Sequence, residues 1–447
     1  MARPRTRRRQ TVLALRARHE PMTIKSFLVS RVAASITSEK RLKRNRAMQE
    51  SKRRAASAPH TVDYFHEAAD PYAHICLQVL PQLSARYDIR LNVHLVAPPP
   101  DWAAPERSRL EAYARIDTAR LARRAGLQFI DPGRQPEAGQ IQTANARFAT
   151  AIDGGSFLVD ALQISNDLWS GKLSGSAGSA TGLDARLAAG SQKREELGHY
   201  LGATFNYAGE WYWGLDRLHY LEARLTELGA QRPGVGNAAI LSPLAVPSGT
   251  GRSATTPELH YYLSFRSPYT YIVVARAKVL ADAYGAELKL RYVLPMVMRG
   301  LPVPRIKRQY ITFDTAREAR RHGVPFGKIA DPVGKPVERG YSILPWAQAQ
   351  GRGYEFCQAF LAGVWSQGID AGSDSGLRQI VEAAGLDWNT ARQQLDTDTW
   401  RAEAEANRAE MMALGVWGVP SFRVGDVITW GQDRLWVIEE ELKRQAG

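Results

Sequence analysis

Leu259-His260-Tyr261-Tyr262-Leu263-Ser264-Phe265-Arg266-Ser267-Pro268-Tyr269 is the stretch on which the reading of this 447-residue chain turns. Leu259, Tyr261, Leu263 and Phe265 alternate with His260, Tyr262 and Ser264, which is the period of a strand. Ser267-Pro268 supplies an N-cap and a first-turn proline, so Tyr269 to Ala283 is predicted to be a helix. Leu288 to Leu294 is a second strand, ending at Pro295. Strand, helix and strand at this spacing make a βαβ unit with a parallel pair.

Downstream, residues 304–414 read as mostly helical, with helices expected at 310–322, 343–365, 375–385 and 396–414. Pro420 to Val424 and Val427 to Trp430 then form a hairpin that turns at Gly425-Asp426, and Asp433 to Arg444 forms a closing helix. The order βαβ, helical insertion, ββα is that of a thioredoxin-like fold with a helical subdomain in its middle.

The same pattern occurs earlier in the chain. Residues 62–127 align with 259–324 at a constant offset of 197, which pairs Tyr64, Pro71, Tyr72, Tyr87 and Tyr113 with Tyr261, Pro268, Tyr269, Tyr284 and Tyr310. Asp117-Thr118-Ala119-Arg120 meets Asp314-Thr315-Ala316-Arg317. At an offset of 217, Trp213-Gly214-Leu215-Asp216-Arg217-Leu218 meets Trp430-Gly431-Gln432-Asp433-Arg434-Leu435. The expected architecture is therefore α/β, with two tandem thioredoxin-like domains, each carrying a helical insertion between its βαβ and ββα halves. A basic tail, disordered or loosely helical, covers 1–58, the first domain 59–230, a Pro- and Gly-rich linker 231–257, and the second domain 258–447. Ser174 to Gly182 reads as a flexible surface loop.

The net charge of +14 belongs to the tail. Residues 1–58 hold 17 Lys and Arg against three Glu, which leaves 42 basic and 42 acidic residues in the rest. The folded body gives no electrostatic case for nucleic acid, and only the tail offers one. A solvated tail, or a start codon placed upstream of Met22, are the plainer readings of that segment. Its apolar run near Phe27 to Val29 is broken by Arg31 and is too short for a membrane span or a signal core, so a cytoplasmic protein is expected. The two cysteines, Cys76 and Cys357, lie at non-equivalent places, and no CxxC occurs. A disulfide framework and a thiol-based zinc site are excluded on count, and the scattered histidines suggest no metal.

The stretch Tyr261 to Tyr269 resembles the first strand and helix start of 2-hydroxychromene-2-carboxylate isomerases and kappa-class glutathione transferases, in the DsbA-like branch of the thioredoxin superfamily. Gly415-Val416-Trp417-Gly418-Val419-Pro420-Ser421-Phe422 and Trp430-Gly431-Gln432-Asp433-Arg434 are similar to that group's cis-proline loop and closing motif. Lys307-x-x-Tyr310-x-x-x-Asp314 resembles the start of its helical subdomain. The resemblance implies glutathione as cofactor and an aromatic or unsaturated, electrophilic small molecule as substrate. It also implies glutathione-dependent isomerisation or transfer, and pairing of the two domains within the chain.

Redox enzymes of this fold carry a reactive Cys where Ser267 stands, so any thiol in the reaction has to arrive with a ligand. In this reading Ser267 is the catalytic residue, its hydroxyl donating to a glutathione thiolate at the helix N-terminus. Such a donor, with the helix end, lowers a thiol pKa by about one to two pH units, each worth about 1.4 kcal/mol. The competing reading is a plain helix cap, which Asp70 supplies equally well in the first domain. An aspartate there would repel a thiolate. The resemblance makes Val419-Pro420 the cis bond, with the Val419 backbone free to pair with the cysteinyl unit. The first domain has Ala203 at that place, where a cis bond costs about 2.5–4 kcal/mol. Gln432, Asp433 and Lys307 complete the expected binding set, Asp433 facing the glutamyl amino group. A helix N-cap for Asp433 and a solvated side chain for Lys307 remain the alternatives. The first domain, with Asp70, Ala203 and Leu110, is expected to be degenerate. A non-catalytic binding or scaffold protein is the rival function, and a DsbA-type oxidoreductase survives only as a family label.

Overall fold

The strand begun at Leu259 lies inside one of two four-stranded sheets in the structure, a computed structural model that describes residues 24–174, 182–236, 238–243, 246–251, 253, 255–395 and 397–447, with side chains from Ser30 onward. In chain order, α1 (Ile24–Thr37) and α2 (Glu39–Ala55) lead into β1 (His60–His66), α3 (Pro71–Leu77), α4 (Leu80–Arg86) and β2 (Ile89–Leu95). Then come α5 (Arg107–Ala125), α6 (Ala138–Asp153), α7 (Phe157–Trp169) and α8 (Leu183–Leu197), followed by β3 (Thr204–Tyr207), β4 (Glu210–Trp213) and α9 (Gly214–Glu227). The C-terminal half opens with β5 (Glu258–Leu263), α10 (Pro268–Ala283) and β6 (Glu287–Tyr292). Its helical insertion holds α11 (Arg305–Arg321), α12 (Lys335–Ala349), α13 (Gly353–Ala362), α14 (Asp374–Ala383), α15 (Trp388–Arg392) and α16 (Thr399–Ala413). The chain closes with β7 (Ser421–Val424), β8 (Val427–Trp430) and α17 (Leu435–Ala446).

The sheets have the same plan, β2-β1-β3-β4 and β6-β5-β7-β8. In each, the first strand pairs parallel with the second and antiparallel with the third, and the last two strands form a hairpin. Tyr64 and Tyr261 sit at corresponding central positions, fully buried against Phe205 and Phe422, each with ring centroids 4.9 Å apart. Each tyrosine hydroxyl donates to a carbonyl of the following helix, that of Ala73 or Thr270, so the buried phenol is satisfied. Among the described residues no helix is long and apolar enough to cross a membrane.

Several boundaries differ from the sequence reading. The helix read over 343–365 is two, because Gly351 takes a left-handed conformation (φ 70°) that ends α12. Helix α11 starts at Arg305 rather than 310, which brings Lys307 into its first turn. The tail is corrected most. Residues 24–55, assigned to a tail either disordered or loosely helical, form two helices, and the disordered alternative falls for them. Lys, Arg, Glu and Ala are strong helix formers, and Ser38 caps α2 by accepting from the Arg41 N–H. Composition flagged the absence of a core but not the acidic groups that hold the segment down. Arg46 makes a two-pronged pair with Glu210 (2.7 and 2.8 Å) in the N-terminal half, and Arg320 of the other half donates to the Thr37 carbonyl. Residues 1–23 and, in the Gly/Ser-rich loop, 175–181 lie outside the described residues.

The halves meet through an exchange of equivalent residues. Arg217 reaches from the N-terminal half to grip Asp314 with two bonds of 2.9 Å and Asp433 with one of 2.8 Å. Arg434 does the same in reverse, binding Asp117 (2.8 and 2.9 Å) and Asp216 (2.7 and 2.9 Å). Tyr72 and Tyr269 each donate to the adjacent aspartate, Asp117 and Asp314. Arg120 donates to the Ile428 carbonyl and Arg317 to that of Trp211. Tyr113 packs into an apolar cluster with Tyr262, Met411 and Val416, and Tyr310 into one with Phe65, Tyr200 and Trp211. Such self-complementary contacts are those of a two-fold interface, formed here within one chain.

Candidate active site

Between the halves lies a cavity of about 620 Å³, within the range that holds small-molecule ligands. Its C-terminal wall begins where β5 hands over to α10. Ser267 is the N-cap there, its hydroxyl accepting from the Thr270 N–H (3.2 Å) and directed at the Val419 carbonyl (3.5 Å). Val419-Pro420 is cis, and both residues line the cavity beside Ser267. The serine is thus a helix cap and also faces open space, so the two readings of it coexist.

Lys307, Tyr310 and Asp314 fall at i, i+3 and i+7 of α11, one face of the helix, and all three line the cavity. Lys307 is only 8% exposed, and its ammonium sits 5.7 Å from the centre of the Trp417 ring. Burial pushes its pKa down to about 8, so the solvated lysine of the alternative reading is not what the fold makes. Affinity for an aromatic carboxylate such as benzoate should therefore hold steady below about pH 8 and weaken above it as Lys307 loses its charge. Lys307→Met should remove that pH dependence; a titration curve unchanged by the substitution would assign the anion to another cation.

The remaining expected residues, Gln432 and Asp433, line the same cavity, but their side chains are engaged by the protein. Gln432 is 2% exposed, and its side chain is taken at both ends: its Nε2 donates to Glu318 (2.7 Å), and its Oε1 accepts from Arg276. Asp433 is not a helix cap, since α17 starts two residues later. Burial alone pushes its carboxyl up, but the Arg217 guanidinium outweighs this and holds it below the ordinary aspartate range. A ligand ammonium at Asp433 would have to share it with that arginine. These partners come from the other half or from a different helix, which no local pattern reports.

The opposite wall comes from the N-terminal half: Glu67, Asp70, Tyr72, Leu110, Tyr113 and Trp213. Leu110 faces the cavity as Lys307 does, without a charge. Ala203 takes a left-handed conformation (φ 51°) where the other half has its cis proline. Asp70 caps α3 by accepting from the Tyr72 N–H (2.9 Å), but burial raises its pKa to about 7 against the opposing backbone N–H groups. The repulsion expected of an ionised Asp70 is thereby reduced. Both cysteines are buried with thiol pKa values raised by burial, and neither lines the cavity. The signal for the inter-half contacts was present in the two repeated motifs, Asp-Thr-Ala-Arg and Trp-Gly-x-Asp-Arg-Leu, which mark interface residues as well as fold.

Residues 258–443 match the family of DSBA-like thioredoxin domains. The 2-hydroxychromene-2-carboxylate isomerase of Pseudomonas putida is 26% identical over 192 residues, covering 41% of this chain and 93% of that protein. That of Sphingobium xenophagum is 26% identical over 197 residues, covering 42% and 98%. A solved 2-hydroxychromene-2-carboxylate isomerase structure aligns at 24% identity over 42% of this chain and 94% of its own, with a TM-score of 0.36. The C-terminal part of the chain is a DsbA-like thioredoxin domain, and its homologues include isomerases.

Proposed function

We propose that this protein is a glutathione-dependent isomerase or transferase acting on an aromatic or unsaturated small molecule, with its working site in the C-terminal half. The observation that carries the reading is the Ser267 hydroxyl. It stands at the N-terminus of a 16-residue helix and opens into a cavity walled by Tyr72, Tyr269, Tyr310, Trp417 and Trp430. The isomerase homologues support the reaction class.

The residues fit a thiol-bearing peptide. Ser267 offers a hydroxyl and a helix end to a thiolate, and the Val419-Pro420 backbone lies alongside for an extended cysteinyl unit. Lys307 offers a positive charge for a carboxylate. Ser264 and Tyr310 line the same cavity, with their hydroxyl oxygens buried in its wall. Glutathione, when bound, supplies the nucleophilic sulfur that no cysteine of the chain places there. The protein's own part is to hold that sulfur ionised, orient the electrophile against aromatic walls and exclude water. Gln432 and Asp433 keep their protein partners and serve the wall rather than the ligand. We read the N-terminal half as a duplicated copy that has given up its own site and now closes this one. A cytoplasmic setting, where glutathione is kept reduced, suits the scheme.

Calorimetric titration of the full chain with glutathione should give micromolar-to-millimolar binding, and 2-hydroxychromene-2-carboxylate should be converted only when glutathione is present. An absence of heat at several millimolar glutathione would turn the reading towards a non-catalytic scaffold.

A further inference from the structure

We propose that Glu67 and Asp70 form a proton-sharing carboxyl pair that serves this cavity as its general acid, across from Ser267 and Lys307. The inference rests on the function proposed above and adds a residue pair to it.

Glu67 and Asp70 stand at the positions that Ser264 and Ser267 occupy in the other half, at the offset of 197. Both line the cavity. Glu67 is 9% exposed, yet its carboxyl group has no hydrogen-bond or ion-pair partner among the described residues. Its carboxyl opens into the cavity rather than onto another side chain, which leaves it available to a bound molecule. Asp70 is close by. A Cβ added to Gly202 would lie 2.8 Å from one Glu67 carboxyl oxygen and 3.1 Å from one of Asp70, so both groups crowd a single point of the backbone. Only glycine leaves room for them, and the other half has Val419 there.

Two carboxyls crowded at one point resist ionising together, and a single proton held between them relieves the repulsion. Burial raises Glu67 well above its ordinary value, and Asp70 raises it further. The other charges that face it are Arg194 on α8, with Arg107 and Glu111 on α5. The arginines oppose the rise without overcoming it. In turnover, the Glu67 O–H bond breaks and its proton passes to the substrate atom that gains electron density. The bonding pair stays on the carboxylate, and the proton returns when the substrate double bond re-forms.

The test uses the full chain, glutathione and 2-hydroxychromene-2-carboxylate. Glu67→Gln should lower kcat on the order of 10²-fold, leave the dissociation constant for glutathione unchanged, and remove the fall of kcat with rising pH, while the weakening of substrate binding through Lys307 remains. Asp70→Asn, which keeps the helix cap, should move that fall to lower pH by removing the neighbouring charge. Infrared titration of the unliganded protein should show a protonated carboxyl at neutral pH that Glu67→Gln abolishes. This measurement on the wild type decides the matter if the variant does not fold. Wild-type turnover with an unaltered rate and pH profile in Glu67→Gln overturns the pair and leaves the proposed function standing, as does an infrared spectrum with every carboxyl ionised. A wild type that binds no glutathione and converts no substrate overturns both.

Discussion

Replacing Arg217 by Met is expected to lower the free energy of unfolding by about 3–5 kcal/mol, the cost of stranding a buried charge. Arg217 and Asp314 have side chains only 7% and 2% exposed, and Glu318 lies beside them fully buried. The methionine fills most of the arginine's volume but leaves Asp314 with the Tyr269 hydroxyl and the more distant Arg317 (3.5 Å) in place of a two-bonded guanidinium. Asp433 on the closing motif loses the same partner. Denaturation in urea, followed by tryptophan fluorescence, measures the loss. A change below about 1 kcal/mol, the scale of an exposed pair, would show that the network is a surface contact in solution.

The same pair predicts an acid limb. For both Asp314 and Asp433, burial acts to raise the pKa, and Arg217, joined by Arg317 at Asp314 and Arg434 at Asp433, more than reverses it, so both end below the ordinary aspartate value. A carboxyl whose folded pKa is depressed contributes stability that is complete above its unfolded pKa, about 3.9, and is lost as pH falls through the folded value. Wild-type stability should therefore decline steeply below about pH 4. Arg217→Met should be less stable above that pH and should lose less on going below it. Parallel curves for the two proteins would assign the acid limb elsewhere.

Ser267→Ala is expected to lower kcat/KM for the glutathione-dependent reaction by about 10²–10³-fold, the range for deleting one donor aimed at developing or resident negative charge. Binding of glutathione should change little, because the backbone at Val419 and the charge at Lys307 are untouched. The substitution also removes the cap on the Thr270 N–H, at about 0.5–2 kcal/mol of stability, so activity alone does not isolate the chemistry. Two measurements do. The thiolate absorbance of bound glutathione should titrate at higher pH in Ser267→Ala than in the wild type. Ser267→Asp, which restores the cap and copies Asp70, should regain stability without regaining turnover. An active Ser267→Asp protein would reduce Ser267 to a cap.

Much of the fold was legible because its signals are local. The alternation through Leu259 to Phe265, the Ser267-Pro268 helix entry and the Gly425-Asp426 turn each depend on residues within one strand or one helical turn. Residues 24–55 read as either disordered or loosely helical because their apolar content is too low for a core. Their order comes from Ser38 capping and from Arg46 finding Glu210, 164 positions away. Among the site residues, Ser267, Val419, Pro420 and Lys307 were found by motif and do line one cavity. Gln432 and Asp433 line that cavity too, but their side chains are held by Glu318, Arg276 and Arg217. Glu67 carried no signal at all, since an acidic residue before a turn is usually solvated.

Sequence alone determined the order of strands and helices, the serine at a helix start and the distance of both cysteines from it, because covalent neighbours and side-chain period decide these. Tertiary structure alone decided which carboxylates are neutralised, that burial pushes the Lys307 pKa down to about 8, and that Glu67 is buried beside Asp70. Those properties are set by burial and by charges brought together from distant parts of the chain, and electrostatic energy depends on that final arrangement rather than on sequence separation.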